Sequence, residues 1–154
     1  MNRREFVGAA GVGLLSIGIT GVVSETTAAA PNSLSERKET DMSAATQAVL
    51  ERRLQAFGEG IDAVMAHYTD DSVVITPDGT YRGLAKIRDF FTALMEGLPE
   101  GTLDAFTMKR QEIVGEIAYI LWEAKPWFPL GTDTFVIREG KIVFQTLTVY
   151  SASE

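Results

Sequence analysis

Apolar and polar positions along the chain change their period near Gly101. Before this residue, apolar side chains recur at spacings of three and four, which is typical of amphipathic helices. This pattern predicts three helices, over about residues 43–57, 61–68 and 84–96. A short run rich in β-branched residues lies between the second and third helices, and the Pro-Asp-Gly sequence that follows it predicts a turn.

After Gly101 apolar and polar residues alternate, which is the pattern of half-buried strands. Four strands are predicted, over about residues 103–114, 117–125, 133–138 and 141–150. Helices and strands with one apolar face must bury those faces against each other. We therefore expect an α+β fold in which a curved antiparallel sheet wraps on three helices. Because long strands twist, the sheet should form a cone whose open end is a concave ligand site.

The first thirty residues have the three parts of a secretory signal. Arg3 and Arg4 precede an uncharged run from Phe6 to Val23 that contains five glycines, and small residues follow. The arginine pair before a glycine-rich apolar stretch resembles a twin-arginine signal, which implies export to the periplasm or beyond the cell. We expect cleavage after a residue within 28–30. The alternative is an uncleaved membrane anchor, because 18 residues is the short limit for a spanning helix.

Residues 31–42 are polar and aperiodic, so they are predicted to be a flexible linker before a domain over 43–151.

The charge and the residue composition of the chain disfavour several classes of partner. The net charge of −7 disfavours nucleic acid and anionic lipid surfaces as partners. The chain has no cysteine and one histidine, His67, so we expect no disulfide, no metal site and no cofactor.

Two stretches of the chain resemble NTF2-like proteins of the SnoaL type. The first contains Tyr68-Thr69-Asp70-Asp71-Ser72-Val73-Val74, Pro77-Asp78-Gly79 and Gly83-x-x-x-Ile87-x-x-Phe90-Phe91; the second is Gly131-Thr132-Asp133-Thr134-Phe135-Val136-Ile137-Arg138-x-Gly140-Lys141-Ile142. The resemblance covers about residues 45–150 and implies the cone with an internal pocket. The family includes steroid isomerases, polyketide cyclases, epoxide hydrolases, dehydratases and binding modules without catalytic activity, so fold alone does not assign chemistry.

Asp133 is the candidate catalytic residue. On its predicted strand it shares a face with Phe135 and Ile137. If that face points inward, burial should raise the pKa of the carboxyl and make it a hydrogen-bond donor or general acid. The resemblance implies that Asp133 matches the oxyanion-hole aspartic acid of the steroid isomerases. The alternative is a structural role in capping the turn after Thr132.

Six further residues are candidate ligand contacts, namely Gln145, Trp122, Tyr68, Tyr81, Leu147 and Phe135. Gln145 should point inward and bond either Asp133 or a ligand carbonyl, and the two tyrosines offer hydroxyl donors. Each of these side chains has plain core packing as its alternative. The resemblance also implies that Thr76 and Leu147 stand where isomerases and cyclases carry acids, which argues against both of those mechanisms.

Two functions follow from these residues. The first is binding of a small, largely apolar molecule, with metal-free general acid–base chemistry of the isomerase, cyclase, dehydratase or hydrolase type. The second is a carrier, sensor or interaction module without catalytic activity. Relatives often dimerise through the outer face of the sheet, and Phe144, Thr146, Thr148 and Tyr150 alternate outward there, so a homodimer is also expected. Trp127 and Phe128 would gate the cone mouth or join such a contact.

Overall fold

The structure is a computed structural model and describes residues 33–151. The predicted signal segment, its cleavage sites and the first residues of the predicted linker lie outside this range. The helices are α1 (Leu34–Glu59), α2 (Ile61–Met65) and α3 (Gly83–Gly97). The strands are β1 (Val73–Thr76), β2 (Gly79–Arg82), β3 (Phe106–Val114), β4 (Ile117–Ala124), β5 (Phe128–Arg138) and β6 (Lys141–Tyr150). None of the helices in the described range has the length and apolarity needed to cross a membrane.

Helix α1 begins nine residues earlier than the sequence pattern predicts. The Ser33 side chain accepts a hydrogen bond from the backbone of Glu36, and the Glu36 side chain accepts one from the backbone of Ser33. This capping box satisfies two backbone donors that a helix start would otherwise leave free. Residues 34–42 are therefore helical, and the predicted flexible linker is wrong over that range.

The sheet has the strand order β2-β1-β6-β5-β4-β3. Its neighbouring strands are antiparallel except for β1 and β6, which run parallel, so the predicted antiparallel sheet is mixed. Strand β2 was not predicted; it pairs with β1 across the expected Pro-Asp-Gly turn. Strand β5 begins at Phe128 rather than at Asp133, and α2 ends at Met65 rather than at Tyr68.

Three register shifts bend the sheet into the predicted cone. They lie in the pairings of β3 with β4, β4 with β5 and β5 with β6, and an extra residue in one strand increases local twist. The sheet curves around α1, and the core lies between its concave face and the helices. The largest fully buried core side chains are Phe91, Phe135, Leu50, Ile87, Ile120 and Ile142. Each contributes about 1.5 to 3 kcal/mol through removal of apolar surface from water.

Candidate functional site

A cavity of about 350 Å³ lies inside the cone, walled by α1, the end of α3 and the strands from β3 to β6. Most of its lining is apolar, and its aromatic side chains are Phe57, Phe91, Phe106, Trp122, Phe128 and Phe135. The charged groups in the lining are Arg53 and Asp133. A mostly apolar pocket of this size with a few convergent polar groups is the usual form of a small-molecule site.

Asp133 lies on β5 and points into the cavity, since alternate residues of a strand share a face and Phe135 also lines the cavity. Only 6 % of its surface is exposed. Its Oδ1 accepts a hydrogen bond of 2.7 Å from Nε2 of Gln145, and its Oδ2 accepts one of 2.8 Å from Nε1 of Trp122. Burial raises the pKa of Asp133, while these two bonds and the charge of Arg53 oppose the rise.

A chain of hydrogen bonds runs from Arg53 to Asp133. Nε of Arg53 donates to the Tyr68 hydroxyl at 3.0 Å, and that hydroxyl donates to Oε1 of Gln145. The Gln145 amide then donates to Asp133 through Nε2. Every donor in the chain points toward the carboxyl, so the arrangement favours negative charge at Asp133. Burial raises the pKa of Tyr68, which keeps its hydroxyl proton in place.

Arg53 is a charged residue of the cavity lining that the sequence analysis did not single out. It is only 3 % exposed, and its guanidinium carbon lies 4.8 to 5.6 Å from the ring centres of Phe57, Phe91 and Tyr68. Such contacts stabilise a cation that burial has removed from water. The signal was present in the sequence, because position 53 falls four residues after Val49 and so lies on the apolar face of α1.

Gly131 is a second residue whose role was missed. It pairs across the strands with Trp122, whose indole ring lies directly over it. A Cβ at position 131 would fall 2.3 Å from the ring, which no real contact tolerates. The glycine therefore allows the indole to lie flat on β5, where its Nε1 reaches Asp133.

The structure brings five of the seven candidate residues together at the cavity: Asp133, Gln145, Trp122, Leu147 and Phe135. Tyr68 is buried behind the lining and joins the site through Gln145.

Tyr81 does not reach the cavity. It lies on β2 at the far edge of the sheet, and its ring stacks on Phe90 with centres 4.5 Å apart, so packing decides its place. Thr76 is likewise absent from the lining; its hydroxyl meets the Gly79 carbonyl at 3.5 Å.

Comparison with solved structures supports the same fold. An NTF2-like protein of unknown function from Mesorhizobium loti has 19 % identity, a TM-score of 0.59, and coverage of 72 % of this chain and 95 % of that one. An NTF2-like protein of unknown function from Burkholderia xenovorans has 21 % identity, a TM-score of 0.57, and coverage of 71 % and 86 %. A candidate SnoaL-like polyketide cyclase from Shewanella denitrificans has 15 % identity, a TM-score of 0.55, and coverage of 68 % and 90 %.

No curated protein sequence matches the chain. The family model described as the SnoaL-like domain matches residues 50–145, which span α1 from Leu50 to the middle of β6 and include Arg53, Trp122, Asp133 and Gln145. The chain therefore belongs to the SnoaL-like domain family, and its cone with an internal cavity has the NTF2-like fold.

Proposed function

We propose that the domain binds a small, largely apolar molecule in the cavity and performs metal-free general acid–base chemistry on it, with Asp133 as the proton-transferring group. The observation that carries this proposal is one buried carboxyl in an apolar cavity, held by two N–H donors from Trp122 and Gln145. Perturbed carboxyls of this kind concentrate at functional sites.

The chemistry follows from the position of the carboxyl. Because burial raises its pKa, Asp133 holds a proton more readily than an exposed aspartic acid. It would donate that proton to a carbonyl or hydroxyl oxygen of the ligand and leave a carboxylate. The N–H donors of Trp122 and Gln145 would stabilise that carboxylate, so the proton could be given and retaken. Isomerisation, cyclisation, dehydration and hydrolysis all use such a step.

A carrier or sensor without catalytic activity is the second candidate. It is favoured by the fact that both oxygens of Asp133 already accept hydrogen bonds from the protein. Leu147, which lines the cavity, is apolar at the position where the resemblance places an acid in the cyclases, and this supports the same function.

We also propose that the chain is exported, on the basis of Arg3, Arg4 and the glycine-rich apolar run that follows them. A homodimer through the outer face of the sheet remains part of this proposal. Tyr150 is 60 % exposed on β6 and could contribute to such a contact.

The test begins with thermal-shift screening of the purified protein against apolar carbonyl compounds, since a ligand that binds the folded state raises the melting temperature. Turnover of each hit is then compared among the wild type, Asp133→Asn and Asp89→Asn. Asp89 is exposed on α3 and serves as the control. We expect Asp133→Asn alone to abolish turnover while retaining the fold. An unchanged rate would exclude Asp133 as the acid, and hits without turnover would favour the carrier.

A further inference from the structure

We propose that Arg53 is a ligand-binding residue whose two terminal nitrogens bind a carboxylate, so that the ligand of this cavity is an apolar acid. This inference rests on the proposed function, because it assigns a chemical class to the molecule that the cavity binds.

Within the described residues, the guanidinium of Arg53 donates its side-chain hydrogen bond through Nε. Nε of Arg53 donates to Tyr68, and neither Nη1 nor Nη2 donates to any residue within 33–151. No fully buried side-chain nitrogen or oxygen in that range lacks a partner. Both Nη atoms must therefore keep contact with accessible space. Since Arg53 is 3 % exposed and belongs to the cavity lining, that space is the cavity.

The guanidinium of Arg53 is held in one orientation by its neighbours. The rings of Phe57, Tyr68 and Phe91 surround the guanidinium, and the bond from Nε fixes its rotation. The edge that carries Nη1 and Nη2 is thus presented in a defined orientation. A planar fork of N–H donors matches the two oxygens of a carboxylate, and such charge-assisted bonds are about twice as strong as neutral ones.

The charged groups of the cavity also bear on the charge of its ligand. Arg53 and Asp133 are its charged lining groups, and the neighbouring Tyr68 is neutral. A ligand carboxylate would be repelled by an ionised Asp133 and attracted by Arg53. Burial already favours the protonated form of Asp133, so the ligand can bind while this carboxyl takes up a proton. The cavity then holds one cation and one anion, both away from water.

The aromatic lining suggests the body of the ligand. Rings from α1, α3, β3, β4 and β5 surround the space next to Arg53, and flat aromatic or polycyclic groups pack well against such rings. The test therefore uses three probes with the same naphthalene body: 2-naphthoate, 2-naphthalenemethanol and 2-naphthalenemethylamine. Each carries a polar group on one carbon attached to the ring, and this group is anionic, neutral and cationic, respectively, at neutral pH.

Isothermal titration calorimetry measures the dissociation constant of each probe for the purified full chain. We expect 2-naphthoate to bind at least tenfold more tightly than the alcohol, and the amine to bind least. In Arg53→Gln the acid should fall to the affinity of the alcohol, whose own affinity changes little. Arg52→Gln is the matched control, because Arg52 is exposed on the same helix and its loss should leave the preference unchanged.

Three results would overturn the inference. If the alcohol binds the wild type as tightly as the acid does, Arg53 is not a carboxylate anchor, although the cavity still binds small molecules. If Arg53→Gln keeps the preference for the acid, another group provides it. If none of the three probes binds, both this inference and the proposed function fail. If Arg53→Gln does not fold, the affinities of the wild type for the acid and for the alcohol still test the inference. Arg53→Lys, which keeps the charge and loses the fork, should bind the acid with intermediate affinity.

Discussion

The bond from Trp122 to Asp133 can be tested by its dependence on pH. Trp122→Phe removes the Nε1 donor that lies 2.8 Å from Oδ2 and leaves an aromatic ring over Gly131. The substitution has two costs. Lost ring contacts lower the free energy of unfolding equally at every pH, whereas the lost hydrogen bond depends on whether the carboxyl is ionised.

The magnitude follows from the strengths of the two kinds of bond. A hydrogen bond to an ionised group contributes about 1.5 to 3 kcal/mol, and one between neutral groups about 0.5 to 1.5 kcal/mol. Burial raises the pKa of Asp133 above its ordinary value of 3.8, so ionisation opposes folding as the pH rises through the folded pKa. Trp122→Phe should raise that pKa further. Trp122→Phe should therefore lower the free energy of unfolding by about 1 to 1.5 kcal/mol more at a pH above the folded pKa of Asp133 than at a pH below 3.8.

Urea unfolding across this pH range measures the effect, and a carbon-detected NMR titration of the Asp133 carboxyl measures its pKa directly. Trp127→Phe is the control, because the two bonds that Asp133 accepts come from Trp122 and Gln145 rather than from Trp127. A loss of stability that is the same below pH 3.8 and above the measured folded pKa of Asp133, or an unchanged titration of Asp133, would refute the prediction.

Three further predictions follow. Gly131→Ala should lower the free energy of unfolding by about 1 to 3 kcal/mol in urea, because its Cβ would fall 2.3 Å from the Trp122 ring and displace it; an unchanged midpoint contradicts this packing. Tyr68→Phe should cost about 2 to 4 kcal/mol in the same assay, because it leaves a buried donor and a buried acceptor unpaired; a cost near zero would show that the hydroxyl is dispensable. Replacing Arg3 and Arg4 together with lysine should abolish export of the full chain in cell fractionation, whereas continued export excludes a twin-arginine signal.

Most of the fold could be predicted from the period of the apolar residues. That period located both ends of α3, β4 and β6 to within one residue. It could not locate the start of α1, because residues 34–42 are mostly exposed and a capping box, rather than an apolar face, begins the helix. It also missed β2, which has only four residues and depends on pairing with β1.

The site was predicted only where strand alternation decides orientation. Alternation correctly placed Asp133 and Gln145 on the inward face, because a strand has only two faces. Strand alternation does not apply to Arg53, which lies on α1. Its position on the apolar face of that helix was the available signal, but a charged residue there is expected to extend to solvent unless aromatic rings cover it. The sequence left Tyr81 open between the cavity and core packing, because its stacking on Phe90 is a contact between β2 and α3 that no local pattern encodes.

The two buried charges of the cavity, Arg53 and Asp133, are linked through Tyr68 and Gln145 rather than paired directly. In a direct ion pair, Arg53 and Asp133 would satisfy each other, and such a pair often adds little stability because both groups lose their hydration. Here Tyr68 and Gln145 lie between Arg53 and Asp133. Each residue of this chain donates a hydrogen bond to the next one on the side of Asp133. The guanidinium consequently keeps its two terminal nitrogens free of protein partners within the described residues. Burial raises the pKa of the Asp133 carboxyl, and the charge of Arg53 offsets only part of this rise. The cavity thus has the terminal nitrogens of Arg53 at one point of its lining and the carboxyl of Asp133 at another. These are the two groups that a bound apolar acid would contact.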